Sequence, residues 1–331
     1  MRKIAAKQAL KYFFLFFISF VFAPLSIAAN FPESNKPIRI IVPYTGGGSS
    51  DFIARVLAKK MSENMAHPVI VENKPGAGTI IAADYVAQSK PDGYTLMLLG
   101  ELTHSALPAT HKTLPFDPLE SFTPITNMVE SPLVLVVHPS MPVDSLTEFI
   151  EYAKEKPGEL SYGSAGLGNT LHIAGEVFQT ETGVELLHIP YKGASQAVVD
   201  LLADRIDLMF DLPQTPMNHI KEGKLKALAI TSAERLDELS DVPTTTEAEV
   251  PEFTFTTVIG LAAPAGVPDD IVEVIFNEVH KALEDPEVQK NVNSMSMFVK
   301  TSESPEAFKE SIANRINEVG AILEKAGVEP Q

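Results

Sequence analysis

The sequence predicts an α/β protein with two lobes, built from two mainly parallel sheets that are flanked by helices and separated by a hinged cleft. Short apolar strands alternate with amphipathic helices along most of the chain, as in sheets whose parallel strands are joined by helical crossovers. Two segments, 114–132 and 239–257, interrupt this alternation and are rich in proline, threonine and acidic residues. We interpret them as two crossings between lobes, because a chain of 331 residues tends to divide into domains. A single sheet with two long loops is the alternative.

The first residues have the layout of a secretory signal peptide. Four basic residues precede an apolar run at 12–22, and small residues follow near Ala29. An uncleaved anchor is the alternative, but the apolar run is short for a bilayer span. We therefore predict a signal peptide at 1–29, a mature chain that begins near Ala29 or Asn30, lobe 1 at 30–132 and 251–331, and lobe 2 at 133–250.

The period of the apolar residues places the individual elements. Short apolar and β-branched runs predict strands at 38–42, 69–72, 95–99, 133–138, 160–163, 186–189, 206–210, 227–231 and 255–262. Apolar residues at helical spacing predict helices at 52–65, 80–89, 146–156, 171–182 and 196–202. From residue 269 onward the pattern is helical, and no further strand is expected.

Composition excludes several classes of function. The chain has no cysteine, which excludes disulfides, thiol catalysis and thiolate metal sites. Its formal charge is −17, and removal of the four basic residues of the signal peptide leaves about −21 on the mature part. Nucleic acid and anionic membrane surfaces are therefore not expected as partners. An anionic ligand would have to be held by local backbone dipoles and hydroxyls.

The segment IIVPYTGGGSSD at 40–51 reads as a strand, a glycine turn and a helix start. Such a junction directs unpaired N–H groups and the positive end of a helix dipole at one point, where an anionic oxygen can bind. The alternative is a sharp turn between strand and helix in which the glycines serve only the backbone and Asp51 only caps the helix. These residues alone leave both readings open.

Two later segments repeat this arrangement. LSYGSAGLGNTLHIAGE at 160–176 and HIPYKGASQAVVDLL at 188–202 each run from a strand through glycine to a helix start. Two such loops at equivalent strand ends of two lobes would face each other across one cleft and suit a ligand with an acidic group.

Signatures of catalysis are weak. YGSAG at 162–166 has Tyr162 where a nucleophile elbow needs its first glycine, and no catalytic histidine can be assigned. GGGSSD lacks the lysine of a phosphate-binding loop, and the eight histidines never form an H-E-x-x-H pattern. We therefore predict no catalytic residue, no metal and no cofactor. A secreted α/β hydrolase-like enzyme acting on a small carboxylate is the alternative.

Eight segments together resemble the Bug-type substrate-binding receptors of tripartite tricarboxylate transporters. They are KPIRIIVPYTGGGSSDFIARVLAKKM, PVIVENKPGAGTIIAADYVAQSKPDGYTL, LPFDP, LSYGSAGLGNTLHIAGEVF, IPYKGASQAVVDLLADRIDLMFD, KLKALAITSAERL, DVPTTTEA and GLAAPAGVPDDIV. The resemblance implies a monomeric periplasmic binding protein that closes on a small carboxylate and delivers it to a membrane permease. The ligand is left open among di- and tricarboxylates, acidic amino acids and aromatic carboxylates, and a role in signalling alone is a further alternative.

The resemblance also implies which residues contact the ligand. They are Thr45, Gly46, Gly47, Ser49, Ser50, Asp51 and Thr103 in the first lobe and Ser164, Gly166, Asn169, Thr170, Tyr191, Gly193 and Asp211 in the second, with Asp51 also as helix cap. Lys192 is expected to be a solvated surface residue. Three departures from the family pattern put pocket size and polarity in doubt: Glu101 in place of a small residue, Leu107 in place of an asparagine, and a missing tryptophan near 257–259.

Overall fold

The computed structural model describes residues 31–33, 35–100, 102–250 and 253–330. The chain falls into two compact units, Met1–Glu33 and Ser34–Gln331. The described part of the first unit, 31–33, contains no helix or strand, and the predicted signal peptide lies outside the described residues. The second unit carries the fold.

The second unit alternates strands and helices as the apolar pattern predicts. The strands are β1 (Ile38–Val42), β2 (Val69–Asn73), β3 (Thr95–Gly100), β4 (Phe122–Pro132), β5 (Val134–Val137), β6 (Ser161–Ser164), β7 (Leu187–Pro190), β8 (Leu208–Asp211), β9 (Lys226–Ile230), β10 (Thr256–Pro264) and β11 (Phe298–Val299). The helices are α1 (Ser49–Met65), α2 (Ile80–Ala87), α3 (Leu107–Thr110), α4 (Leu146–Lys154), α5 (Thr170–Thr182), α6 (Ala194–Leu202), α7 (Met217–Lys221), α8 (Asp269–Leu283), α9 (Pro286–Asn293) and α10 (Pro305–Lys325). Two 3₁₀ turns (Ala77–Thr79 and Asp237–Leu239) and a π-helical turn (Leu102–Ala106) complete the set.

The strands form two sheets. The first has the order β11-β4-β10-β3-β1-β2, with β1 parallel to β2 and β3 and the remaining pairs antiparallel. The second has the order β7-β6-β8-β5-β9, with β6 parallel to β7 and β8, and β5 antiparallel to β8 and β9. Both sheets are therefore mixed.

The α/β class and the two sheets are confirmed, but the expectation of mainly parallel sheets is wrong in detail. The chain leaves the first sheet along β4 and enters the second along β5, with only Leu133 between the two strands. It returns to the first sheet along β10. A strand that leaves a sheet and a strand that returns to it run in opposite directions. They can therefore pair antiparallel, as β4 and β10 do, without a helical crossover.

Two strands were missed. The segment 114–132 was interpreted as an irregular crossing, yet β4 occupies 122–132, because pairing with β10 supplies backbone bonds that proline content alone does not reveal. β11 contradicts the expectation of no strand beyond 269, although it has only two residues. The predicted lobe boundaries stay a prediction, since Ser34–Gln331 forms one compact unit.

The two crossings meet at Thr231, which is fully buried. The Leu133 N–H donates to Thr231 Oγ1 at 2.8 Å, and the Thr231 N–H donates to the Leu133 oxygen at 2.9 Å. The Phe255 N–H donates to the Thr231 oxygen at 2.8 Å. The outgoing and returning segments are thus hydrogen-bonded to one residue, which directly follows β9 of the second sheet.

Each sheet has its own apolar core, and α10 contributes to both. Phe308 and Ile312 pack with the core of the first sheet, whereas Val319 and Leu323 pack with the core of the second. No helix in the described part of the chain is long and apolar enough to cross a membrane.

Candidate ligand-binding site

The first glycine loop joins β1 to α1 and ends on Gly48, the N-cap of the helix. Gly47 has a φ of +92°, in the region that favours glycine, so the turn needs a residue without a side chain there. Ser49 and Ser50 are the first two helical residues, and backbone N–H groups at such positions have no acceptor within their own helix.

Asp51 holds this loop in shape. Its Oδ2 accepts hydrogen bonds at 2.9 Å from the Gly47 N–H and from Arg55 Nε, and its Oδ1 accepts one at 2.9 Å from Asn73 Nδ2. The hydrogen bond from Arg55, helped by Gly47 and Asn73, lowers the pKa of Asp51 to about 2 against the effect of burial. Asp51 therefore reaches back to the turn from inside the helix, while Gly48 occupies the cap position that was expected for Asp51.

The second glycine loop joins β6 to α5. Asn169 is the N-cap, and its Oδ1 accepts from the Leu171 N–H at 2.9 Å. Gly166 and Gly168 have φ of +124° and +68°, and a Cβ at Gly168 would lie 2.5 Å from Thr110 Cγ2. Both conformation and close approach therefore require glycine at 168.

The starts of α1 and α5 face one cavity of about 220 Å³. Ser49 and Ser50 line it from one side and Asn169 and Thr170 from the other. The remaining lining residues are Tyr44, Leu98, Gly100, Leu102, Ser131, Leu212, Thr257, Val258, Ile259 and Met297. None of these described residues carries a charge. Neutral donors and an apolar wall thus surround the space.

Four of the predicted contact residues line this cavity: Ser49, Ser50, Asn169 and Thr170. Others lie in the two loops or directly next to them without lining the cavity, namely Thr45, Gly46, Gly47, Asp51, Ser164 and Gly166. The carboxylate of Asp51 bonds within its own loop, and Ser164 Oγ lies 2.6 Å from His188 Nε2. Their influence on a ligand in this cavity would be indirect.

The remaining predicted residues point elsewhere. The Tyr191 hydroxyl donates to Asp200 Oδ2 at 2.9 Å, and burial, with Asp200 nearby, raises the pKa of Tyr191 to about 12. The Thr103 hydroxyl donates to Thr79 Oγ1 at 2.9 Å in a buried position. None of Thr103, Tyr191, Gly193 and Asp211 lines the cavity, and Lys192 is exposed as expected.

Asp211 ends β8 and is buried, one residue before the lining residue Leu212. Its Oδ1 accepts from the Leu212 N–H at 2.8 Å. Burial raises the pKa of Asp211 to about 7, because few polar groups replace the water that its charge would need.

Sequence reasoning did not assign the floor of the cavity. Leu98 and Gly100 lie near the end of β3, and β10 brings 257–259 beside them, with Ile259 opposite Gly100 in the antiparallel register. Tyr44 directly precedes the first loop, and its hydroxyl would lie 3.1 Å from a Cβ at Gly100. In the sequence, the missing tryptophan near 257–259 was the one indication of this floor. Glu101 lies outside the described residues.

No group of three or more histidine, aspartate or glutamate side chains in the described ranges is arranged to hold a metal ion. The site therefore has to be judged by its donors and its shape.

Comparison with known proteins decides the family. The model of the TctC family, the tripartite tricarboxylate transporter family receptor, matches residues 53–328. This chain belongs to that family. The match begins just after the first glycine loop and includes the second, together with β3 and β10 at the floor of the cavity.

Individual relatives agree with this assignment. The receptor is 37% identical to protein BugT of Bordetella pertussis over 79% of this chain and 80% of that one. It superposes on the periplasmic binding protein BugD with a TM-score of 0.72 at 34% identity, over 90% of this chain and 100% of that chain. An R. palustris protein solved with adipate gives a TM-score of 0.75 at 31% identity, over 91% and 100% of the two chains.

These findings confirm the Bug-type resemblance and the periplasmic binding protein fold of the receptor. They also place it among solute receptors and not among enzymes, which removes the hydrolase alternative. A carboxylate-binding solute receptor is therefore established at the level of the family.

Proposed function

We propose that this receptor captures a small aliphatic carboxylate in the cavity between the two sheets and delivers it to the membrane subunits of a tripartite transporter. The observation that carries the proposal is the meeting of two helix starts, at Ser49 and Thr170, on one uncharged cavity. Backbone N–H groups at helix starts stabilise carboxylate oxygens by hydrogen bonds and by the helix dipole.

The proposed binding of an anion is opposed by the net negative charge of the whole molecule. The mature chain carries about −21, but salt screens that field within about 8 Å at physiological ionic strength. Hydrogen bonds to a charged oxygen contribute roughly 1.5–3 kcal/mol each at short range. A few converging donors are therefore enough to bind an anion in this cavity.

The apolar wall supports an aliphatic body for the ligand. Leu98, Leu102, Leu212, Val258 and Ile259 face the same space as the hydroxyls. A methylene chain loses contact with water against such a wall, whereas an ammonium group, or a carboxylate beyond those held at the two helix starts, would find no oppositely charged side chain among the described lining residues. The cavity volume, about 220 Å³, admits benzoate or citrate as readily as adipate, so the preference for an aliphatic ligand rests on the character of the wall and not on size.

A thermal-shift panel tests this proposal, with adipate, glutamate, citrate, benzoate and adipamide as probes. A ligand at a hundredfold excess over its Kd raises the free energy of unfolding by about 2.7 kcal/mol. We expect adipate to raise the unfolding midpoint most and adipamide, which has the same chain without charge, to leave it unchanged. Equal shifts with adipate and adipamide would contradict a carboxylate grip.

Delivery to a transporter needs a separate experiment. Deleting the gene should abolish uptake of the bound carboxylate by intact cells, and the protein recovered from the periplasm should begin near Ala29 or Asn30. A receptor that still binds the carboxylate while uptake is unaffected would contradict delivery and leave signalling as its role.

A further inference from the structure

A second cavity, of about 340 Å³, borders the second glycine loop. Leu167 and Gly168 line it, whereas the next two residues, Asn169 and Thr170, line the ligand cavity. Leu102 lines both. The second loop therefore has a ligand side and an opposite side.

Two stacked histidines occupy the opposite side. The rings of His172 and His188 have centroids 4.0 Å apart and planes inclined by 16°. The ring of Tyr162 stacks on His188 at 4.8 Å. His172 is 2% exposed, and both histidines line the second cavity. Neither was assigned a role in ligand binding from the sequence.

His172 holds the loop at Gly168. The Gly168 N–H donates to His172 Nδ1 at 3.0 Å. This bond requires an unprotonated Nδ1, so it fixes His172 as the neutral tautomer that carries hydrogen on Nε2. Because Gly168 directly precedes the N-cap Asn169, the bond sets the backbone that leads into α5.

His188 holds the other end of the loop through Ser164. The distance from His188 Nε2 to Ser164 Oγ is 2.6 Å, and the Gly166 N–H donates to the same Oγ at 3.1 Å. The hydroxyl is thus fixed between a ring and the loop backbone. Both ends of the glycine loop depend on one histidine pair.

We propose that His172 and His188 are positioning residues which, uncharged and stacked, hold the second loop in the shape that presents Asn169 and Thr170 to the ligand, so that protonation of the pair weakens binding. The proposal rests on the proposed function. It concerns how the loop is shaped, and it assigns neither histidine a contact with the ligand.

Charge on either ring would disturb this arrangement. Burial lowers the pKa of both histidines to about 4, and the neighbouring His172 adds to the effect on His188. Protonation of His172 Nδ1 would remove the acceptor of the Gly168 bond. Two charged rings 4.0 Å apart would also repel each other.

Few groups around the histidine pair favour its protonation. Glu176 Oε1 lies 3.7 Å from His172 Nε2 and favours the charged ring, but it already accepts from the Tyr162 hydroxyl at 2.5 Å and from Gln179 Nε2 at 3.0 Å. His111, beyond α3, and Glu329, in the C-terminal segment, line the same cavity. Burial outweighs the attraction of Glu176 and keeps the pKa of His172 low.

Substitutions to asparagine and glutamine separate the effect of the hydrogen-bond position from the effect of the ring's charge. Asparagine places its amide near Nδ1 of a histidine, and glutamine places it near Nε2. At 172, where Nδ1 is used, His172→Asn should keep the loop bond and His172→Gln should lose it. At 188, where Nε2 is used, the order reverses, with His188→Gln keeping the contact and His188→Asn losing it.

The first readout is the amide signals of Gly166 and Gly168 in ligand-free, glycine-¹⁵N-labelled protein. Calorimetric titration with adipate is the second. We expect His172→Gln and His188→Asn to shift these signals and to weaken adipate binding about fivefold to tenfold, whereas their matched partners stay close to the wild type. Equal behaviour of asparagine and glutamine at either position would overturn the positioning role.

The pH dependence is tested with the double variant His172→Asn/His188→Gln, which keeps both contacts but cannot be protonated there. Between pH 6 and pH 4 the Gly168 amide signal should move in the wild type and stay fixed in the double variant, whose affinity should follow only the titration of adipate. His138→Gln, at the far end of the second sheet beside Asp204, is the control and should behave as wild type. Identical pH profiles in wild type and double variant would overturn the proposal. If adipate does not bind the wild type, the proposed function fails, but the amide signals still decide the role of the histidines.

Discussion

Gly47 shows how a single backbone angle shapes the first loop. Its φ is +92°, and a Cβ built there has no heavy atom within 4 Å. A side chain at this position would therefore strain the backbone but would not clash with neighbouring residues. Gly46 lacks a positive φ, so the requirement for glycine that was expected at both positions applies by conformation only to Gly47.

We expect Gly47→Val to weaken adipate binding by about fivefold to thirtyfold while the fold survives. The strain is about 1–2 kcal/mol, and the cheapest relief is to turn the loop away from the geometry that presents Ser49 and Ser50. Gly183→Val is the matched control, because Gly183 also has a positive φ and open space but caps the far end of α5. Both variants should lose similar stability in chemical unfolding, and only Gly183→Val should keep its affinity in calorimetric titration. Unchanged affinity in Gly47→Val with native circular dichroism would reduce the loop to a simple turn.

Asp211 gives the receptor a pH dependence of stability. Burial raises its pKa from 3.8 to about 7 in the folded state. Between these values the unfolded chain is charged and the folded chain is protonated at this site. Ionisation of Asp211 therefore disfavours the folded state. Its protonated carboxyl leaves the free energy of unfolding at its full value below pH 3.8, and that contribution is lost as the pH rises through about 7.

We expect Asp211→Asn to stabilise the receptor at pH 8 by on the order of 2 kcal/mol and to have a much smaller effect at pH 5. The amide keeps the acceptor for the Leu212 N–H without the buried charge. Denaturant unfolding at both pH values measures the effect, and Asp241→Asn, at an exposed position, is the control. An equal effect of Asp211→Asn at both pH values would show that its carboxyl keeps an ordinary pKa in the folded protein.

At the scale of elements, the sequence predicts what is local and misses what depends on sheet order. The helix starts at Ser49 and Thr170 follow from glycines, hydroxyls and apolar spacing within a few residues. Ser131 and Met297 line the same cavity, but they arrive there through the antiparallel pairing of β4 with β10 and β11. No short segment records that pairing.

The sequence also does not show in which direction the side chains of the predicted site residues point. Ser164 was expected at the ligand and instead contacts His188 of the neighbouring strand β7, and Tyr191 instead bonds to Asp200 of α6. Each partner lies on an element whose position depends on the assembled second sheet. Motif position alone therefore identified loops that border the cavity but not which side chains face it.

The start of α5 supplies a direct test of the proposed carboxylate site. Thr170 is the first residue of the helix and lines the cavity, so we expect Thr170→Val, which keeps the shape and removes the hydroxyl, to weaken adipate binding by about threefold to tenfold. Thr180→Val, near the other end of the same helix, should leave the affinity unchanged. A Thr170→Val protein with wild-type affinity would remove this hydroxyl from the site.

At the scale of the whole molecule, the two sheets share more than their crossing strands. Helix α10 places Phe308 and Ile312 in the core of the first sheet and Val319 and Leu323 in the core of the second. A helix is stiff over its length, so loss of one core leaves half of its apolar face exposed. This arrangement favours cooperative unfolding of both sheets, even though ligand binding proteins of this fold close about a hinge.

We therefore expect Ile312→Ala and Leu323→Ala to destabilise the same single unfolding transition, each by about 2–5 kcal/mol, although they lie in different cores. Scanning calorimetry checks this expectation, because a single transition has equal calorimetric and van't Hoff enthalpies. Glu324→Ala, at an exposed position beside Leu323, is the control and should change the midpoint little. If Leu323→Ala instead splits the transition, so that the second sheet unfolds first and the first sheet keeps the wild-type midpoint, α10 does not couple the two cores. The sheets would then communicate only through the crossing strands and Thr231.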